Sequence, residues 1–169
     1  MQNPLIKTAL FAADDAEAVA FAASLQRGFG TRVLVHGCTL AAFQAAGVKA
    51  EPVDAGISAE NALVGVDLVV SMVPDFNEAL MSGASFPKCV SSIELSRVAL
   101  IRAAAKRFAE VAVVIDENDF AAILQELSDN DGATLYETRI RQAHAAFQAI
   151  SDYDYDVAEW LAAKLGISQ

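Results

Sequence analysis

Short runs of Val, Leu and Ile alternate along this chain with alanine-rich segments of helical period. Strands that are apolar at nearly every position are buried on both faces, and helices on both faces need crossover connections. The pattern predicts an α/β fold with a parallel sheet. Lys7 to Ala13 reads as a strand, Asp15 as the cap of a helix that buries Val19, Ala22, Ala23 and Leu25, and Gly28 or Gly30 as its end. Arg32 to His36 is a second strand, Gly37-Cys38-Thr39 a tight turn, and Leu40 to Ala46 a helix stopped by Gly47. Both strand-to-helix loops fall at carboxyl ends of strands, where open α/β sheets bind ligands.

The middle is less regular. Glu51 to Val53 is a short extended piece, Ser58 caps a turn of helix, and Asp67 to Val73 is a strand that Pro74 should end. Asn77 to Met81 reads as one helical turn, within a stretch to Val90 that Gly83 and Pro87 make irregular. Arg97 to Phe108 is a helix, Val111 to Ile115 a buried strand, and Asp119 to Leu127 a helix entered through Asn118 and left through Asp131-Gly132. Thr134 to Leu165 is predicted as two helices broken near Ser151, with Leu135, Ile140, Ala143, Phe147, Ile150, Val157 and Leu161 inward. There is no repeat or Pro/Gly/Ser linker, so one domain over 1–169 is expected.

The 169 residues are 54% hydrophobic, enough to bury a core without disulfides or a structural metal. A formal charge of -10 argues against nucleic acid as a general partner. No apolar run approaches the roughly 20 residues a bilayer requires, and no signal peptide is evident, so the expectation is a cytoplasmic protein with Cys38 and Cys89 reduced.

Arg97, Arg102, Lys106 and Arg107 follow one another with no intervening acid, and Arg102 and Lys106 share a helix face. They are either a solvated face that complements the helix dipole or an anion or general-acid site. His36-Gly37-Cys38-Thr39 offers an imidazole, a thiol, a hydroxyl and free N–H groups. Small-anion binding, plain turn chemistry and, least of the three, a Cys–His nucleophile all fit it. Asp14 and Asp15 read as caps before bases or metal ligands, His144 as a half-buried helix residue, and Asp152, Asp154 and Asp156 as a solvated junction between helices. No metal is expected.

The second half resembles a known family. Ile101-Arg102-Ala103-Ala104-Ala105-Lys106, Val111 to Asp116, Asp119 to Leu124, Glu137-Thr138-Arg139, Ala146-Phe147 and Tyr153-Asp154 are similar in order and spacing to the IMP cyclohydrolase domain of the bifunctional purine-biosynthesis enzyme. The resemblance weakens before Ile93. It implies a methylglyoxal-synthase-like three-layer sandwich with C-terminal helices, a homodimer, a transformylase as domain or partner subunit, and no cofactor. The implied reaction is dehydrative closure of formamido-imidazole-carboxamide ribotide to IMP, which would make the chain a hydrolase acting on cyclic amidines. Carried onto this sequence, Lys106, Arg102 and Glu94 are the candidate catalytic residues. His36, Gly37, Cys38, Thr39 and Arg97 are the candidates for holding a small phosphorylated substrate or another small anion.

The chain also departs from that family. Its first loop is Ala12-Ala13-Asp14-Asp15-Ala16-Glu17-Ala18 in place of Ser-Val-Ser-Asp-Lys-Thr-Gly, so carboxylates replace a lysine. The Arg-Val-Lys-Thr-Leu-His-Pro-Lys segment is absent, Met72-Val73-Pro74-Asp75-Phe76 lacks the tyrosine of Asn-Leu-Tyr-Pro-Phe, and Glu94-Leu95-Ser96-Arg97-Val98 stands for Asp-Ile-Gly-Gly-Pro. Those losses keep a second expectation open: a non-catalytic or repurposed domain of the same fold that binds a small anion or pairs with an enzyme subunit.

Overall fold

The computed structural model describes residues 3–54 and 56–166, so residues 1, 2, 55 and 167–169 of the expected domain lie outside the described residues. Five parallel strands form one sheet in the order β3-β2-β1-β4-β5: β1 (Thr8–Phe11), β2 (Arg32–Val35), β3 (Ala50–Pro52), β4 (Leu68–Val70) and β5 (Ala112–Val114). Successive side chains of a strand point to opposite faces. Ala9, Phe11, Leu68, Val70, Ala112 and Val114 therefore pack on one side, under α1 (Ala16–Phe29), α2 (Leu40–Ala45) and α7 (Phe120–Asp129). Leu10, Ala12, Val69 and Val113 pack on the other, with α3 (Ala59–Ala62), α4 (Phe76–Met81), α6 (Ser96–Lys106) and α8 (Tyr136–Leu165). The expected α/β sandwich with a parallel central sheet is the observed architecture.

The first two units follow their local signals. Asp15 Oδ1 accepts the Ala18 N–H at 2.8 Å and caps α1, and Gly30, at φ 67°, ends it in the left-handed conformation that glycine adopts without a Cβ penalty.

Several expectations are corrected. The central strand ends at Val70, well before Pro74, because its partner β5 stops at Val114 and a single further bond, Ser71 N–H to Val114 O, exhausts the ladder. Asp67 leaves the strand to accept the Lys7 and Thr8 N–H groups at 2.9 and 2.8 Å. The irregular stretch after Gly83 holds a helix, α5 (Phe86–Ser91), in which Pro87 sits in the first turn, where a missing N–H costs nothing. Finally, α8 is a single helix of 30 residues with no break at Ser151.

Nothing at Ser151 could break α8: there is no Gly or Pro, and the side-chain amide of Gln148 donates to Asp152 along the exposed face at 3.0 Å. The three aspartates are not a junction. Asp154 pairs with Arg102, and Asp156 accepts the Asn77 side-chain amide at 3.1 Å. His144 is exposed rather than half-buried, and Ile140 and Phe147 also face outward. The buried residues are Thr138, Arg139, Gln142, Ala143, Ala146, Ile150 and Tyr153, which a hydropathy pattern misses because Thr138, Arg139 and Gln142 are polar.

Candidate active site

A groove of about 840 Å³ runs along α6, with α3 on one side and the C-terminal half of α8 on the other. Val98, Ile93, Val157 and Leu161 make its apolar walls, and Glu94, Arg102 and Lys106, the three candidate catalytic residues, all line it. Arg102 and Lys106 lie one turn apart on the same helix face, as their spacing predicts.

The run of bases is opposed after all, by carboxylates from other elements as well as from its own flanks. Arg102 pairs with Asp154 of α8, Lys106 with Glu60 of α3 at 3.5 Å, Arg107 with Glu110 at 3.0 Å, and Arg97 approaches Glu94 to 4.0 Å. Arg107 also donates to the Leu63 carbonyl at 3.0 Å. The Lys106–Glu60 side chains are 73% and 77% exposed, so this pair contributes on the order of 0–1 kcal/mol and exchanges readily for a ligand anion.

Glu94 has a structural task. Its Oε1 accepts the Ser96 and Arg97 N–H groups at 2.9 and 3.2 Å, satisfying two free donors at the start of α6. Its own N–H donates to the hydroxyl of the buried Tyr153 at 2.8 Å, which ties the entry of α6 to α8.

The second candidate set gathers at the carboxyl ends of β1 and β2. Gly37, at φ 67°, turns the chain, but a Cβ there would meet nothing within 4 Å, so its role is conformational and not close approach. Thr39 precedes α2, and its N–H donates to Asp14 Oδ2 at 2.7 Å. The Thr39 hydroxyl and N–H together hold the Asp14 carboxyl below the usual carboxylate range. Cys38 donates its thiol to the Phe11 carbonyl at 3.5 Å. Burial, and the Asp14 charge after it, push this thiol up to about 12, so it is not a thiolate nucleophile near neutral pH.

His36 is buried, and its Nδ1 has no hydrogen-bond partner among the described residues. It lines a cavity of about 280 Å³ with Ile57, Ser58, Ala59, Leu95, Ser96 and Ala99. Ser58, Ala59, Leu95 and Ala99 also line the long groove, so the cavity is an extension of it. Arg97 lies toward the strand ends, where its charge favours the ionised forms of Asp14 and Cys38. The fold therefore brings His36 of the second set to a space adjoining the groove that holds the first. Sequence reasoning missed Asp14 as the partner of Thr39, and Glu60 and Tyr153 as groove residues. A carboxylate directly after a strand was the one available signal for the first, and it is equally a signal for a cap.

Comparison with known proteins bears on this arrangement. The family model described as the AICARFT/IMPCHase bienzyme matches residues 104–169, which include the end of α6 and all of α8. The bifunctional purine biosynthesis protein PurH of Rhodospirillum rubrum is 33% identical over 132 residues, 78% of this chain and 24% of that protein. The chain matches the IMP cyclohydrolase portion of PurH. PurH of Ruegeria pomeroyi is 36% identical over 108 residues, 64% of this chain and 20% of that protein. PurH of Paracoccus denitrificans is 40% identical over 101 residues, 60% of this chain and 19% of that protein. The chain thus spans about a fifth to a quarter of the PurH relatives it matches. Among solved structures, the crystal structure of ForH superposes with a TM-score of 0.68 at 23% identity, covering 94% of this chain and 98% of that one. That likeness shows a shared fold, consistent with the methylglyoxal-synthase-like sandwich. Among the described residues no helix is long and apolar enough to cross a membrane.

Proposed function

We propose that this chain is an IMP cyclohydrolase-like catalyst of purine biosynthesis, closing the ring of formamido-imidazole-carboxamide ribotide to give IMP. The observation that carries the reading is the groove along α6, which gathers Lys106, Arg102 and Glu94 on apolar walls, with Lys106 inside the segment 104–169 that the family model matches. In this reaction the carboxamide nitrogen bonds to the formyl carbon and the formyl C–O bond breaks. One proton from the carboxamide and one from the formamido nitrogen leave with that oxygen as water. Both reacting groups belong to one molecule, so the protein has to hold a near-attack geometry, exclude solvent and stabilise the departing oxygen. Lys106 protonates that oxygen or holds the carboxamide, and Arg102 supports it electrostatically. Glu94 keeps α6 in register through its N–H contacts.

Both cations must first release Glu60 and Asp154, which exposed pairs do at little cost. Lys106→Ala is expected to lower ring closure about a hundredfold or more, followed by the ultraviolet change as IMP forms. Undiminished turnover in that variant would remove the assignment. The single domain, the cytoplasmic location and the work alongside a transformylase belong to the same proposal, the last of them supported by the bifunctional nature of the PurH relatives. So does a homodimer. Sedimentation equilibrium is expected to give twice the 17.9 kDa chain mass, and a monomer at micromolar concentration would dismiss it.

A further inference from the structure

The cavity of about 280 Å³ at His36 adjoins the ring-closure groove but has no part in the chemistry proposed above. His36 is 9% exposed, and its Nδ1 has no hydrogen-bond partner among the described residues. Buried polar side chains are nearly always satisfied, so an orphaned imidazole on a cavity wall is a group that a ligand or ordered water completes.

The other walls decide the chemistry of that ligand. Ile57, Ala59, Leu95 and Ala99 are apolar, and Ser58 and Ser96 are neutral, so His36 is the one wall residue that can carry a charge. The Ser58 hydroxyl accepts the Asn61 N–H at 3.3 Å as the cap of α3, which leaves its own proton free to donate. The N–H groups of Ser96 and Arg97, at the start of α6, are already taken by Glu94 Oε1. A phosphate at this wall would meet a carboxylate on those donors and no fixed cation to offset it. An imidazole beside a serine hydroxyl instead suits another hydroxyl group, which accepts from one and donates to the other.

The ribotide carries such hydroxyls at the right remove from its reacting groups. Ala99 lines both spaces, and Lys106 follows it by seven residues, about 10 Å along the helix axis. The Lys106 ammonium pairs with Glu60, next in the chain to the cavity residue Ala59. The lysine side chain and the imidazole-carboxamide ring cover that distance between them, which brings the ribose to the cavity when the reacting groups are at Lys106.

We propose that this cavity receives the ribose hydroxyls of the ribotide, with its 5′-phosphate outside, and that His36 is the residue that distinguishes a ribotide from its deoxy counterparts. The proposal rests on the ring-closure reading and adds a sugar specificity to it.

Formamido-imidazole-carboxamide ribotide and its 2′-deoxy and 3′-deoxy counterparts are compared as substrates of the wild type and of His36→Phe. With the wild type, at least one deoxy compound is expected to lose about tenfold or more in kcat/KM, because His36 stays unpaired beside it. His36→Phe is expected to lower the ribotide value about tenfold and to bring that deoxy compound within about threefold of it. A merely structural role for His36 would lower all three alike and leave the ratio as it was. If His36→Phe does not fold, as judged by circular dichroism, the His36 ring resonances of the wild type replace it: they are expected to move with IMP and not with the matching deoxy-IMP.

Equal wild-type values for the three compounds, a preference that survives in His36→Phe, or equal movement of the His36 resonances overturns the proposal and leaves ring closure standing. Turnover of none of the compounds overturns ring closure. IMP and its two deoxy counterparts are then titrated by calorimetry while the same resonances are followed. A Kd for IMP about tenfold below that of a deoxy counterpart, with the His36 ring moving, upholds the subsite, and equal affinity or no binding ends it.

Discussion

Replacing Arg139 with methionine is expected to lower the unfolding free energy by about 3–5 kcal/mol, seen as a lower urea midpoint at unchanged slope. Arg139 is 1% exposed and stands on the inner face of α8. Its Nε donates to the Phe108 carbonyl at 2.9 Å, its Nη2 to the Ala109 carbonyl at 3.3 Å, and its Nη1 to the carbonyl and hydroxyl of Thr134. Those acceptors lie in the connection from α6 to β5 and just before α8, so one side chain joins two loops that no strand pairing connects. The guanidinium also lies 5.7 Å from the centre of the Tyr136 ring. Burial lowers its pKa, but an arginine so placed still carries its proton at neutral pH.

Methionine preserves much of the volume and none of the donors. The Phe108, Ala109 and Thr134 carbonyls would then have to find water or go without, at about 1–3 kcal/mol for each one left buried. Arg139→Lys, with a compact ammonium that cannot span the same acceptors, is expected to fall between the two. A midpoint within error of the wild type for Arg139→Met would show that the loops hold each other without it.

Cys38, in a Cys89→Ser background, is expected to react with iodoacetamide at pH 8 about a thousandfold more slowly than the same thiol in urea. The thiol's pKa rises from an ordinary value of 9.0 to about 12, chiefly through burial and then through the Asp14 charge. The reactive species is the thiolate, whose fraction at pH 8 falls about a thousandfold as the pKa rises from 9.0 to about 12. The sign follows directly: a raised thiol pKa keeps the folded side chain neutral, and reactivity returns as the pH climbs toward 12. Asp14→Asn should recover part of the reactivity at pH 8, since it removes one of the causes and leaves burial in place. Labelling of the folded protein at the urea rate would mean that the Cys38 thiol is open to solvent, and would return it to consideration as a nucleophile.

Most of the scaffold was legible from the chain because its local signals agree. Asp15, Gly30, Thr39, Gly47 and Ser58 each fall where the structure puts an element boundary, and the apolar runs are the strands. The failures have common causes. A proline in the first turn of α5 looks the same in sequence as one that ends a helix, and acidic residues on the outer face of α8 look like those of a loop. The inward Arg139 and Gln142 hide the true buried stripe, because burial of a polar side chain depends on partners that lie far away in the chain.

The site divided along the same line. Arg102 and Lys106 could be placed on one face by spacing alone, whereas Glu60 and Asp154 reach them only through the packing of α3 and α8. Asp14 is the sharpest case. Its contact with Thr39 joins two loops on neighbouring strands, and nothing in the local sequence separates that role from capping.

The strand order also governs when the molecule can assemble. β1 lies at the centre of the sheet, pairing on one side with β2 directly after it and on the other with β4, where Ala9 meets Leu68. The β1–β2–β3 half can therefore pair as its residues leave the ribosome, while the opposite edge of β1 stays open until the middle of the chain has been made. The second face, roofed by the last helix, closes last of all. Contacts so distant along the chain are slow to form, which makes the nascent β1 edge the place where this protein is most exposed to mispairing and to chaperones.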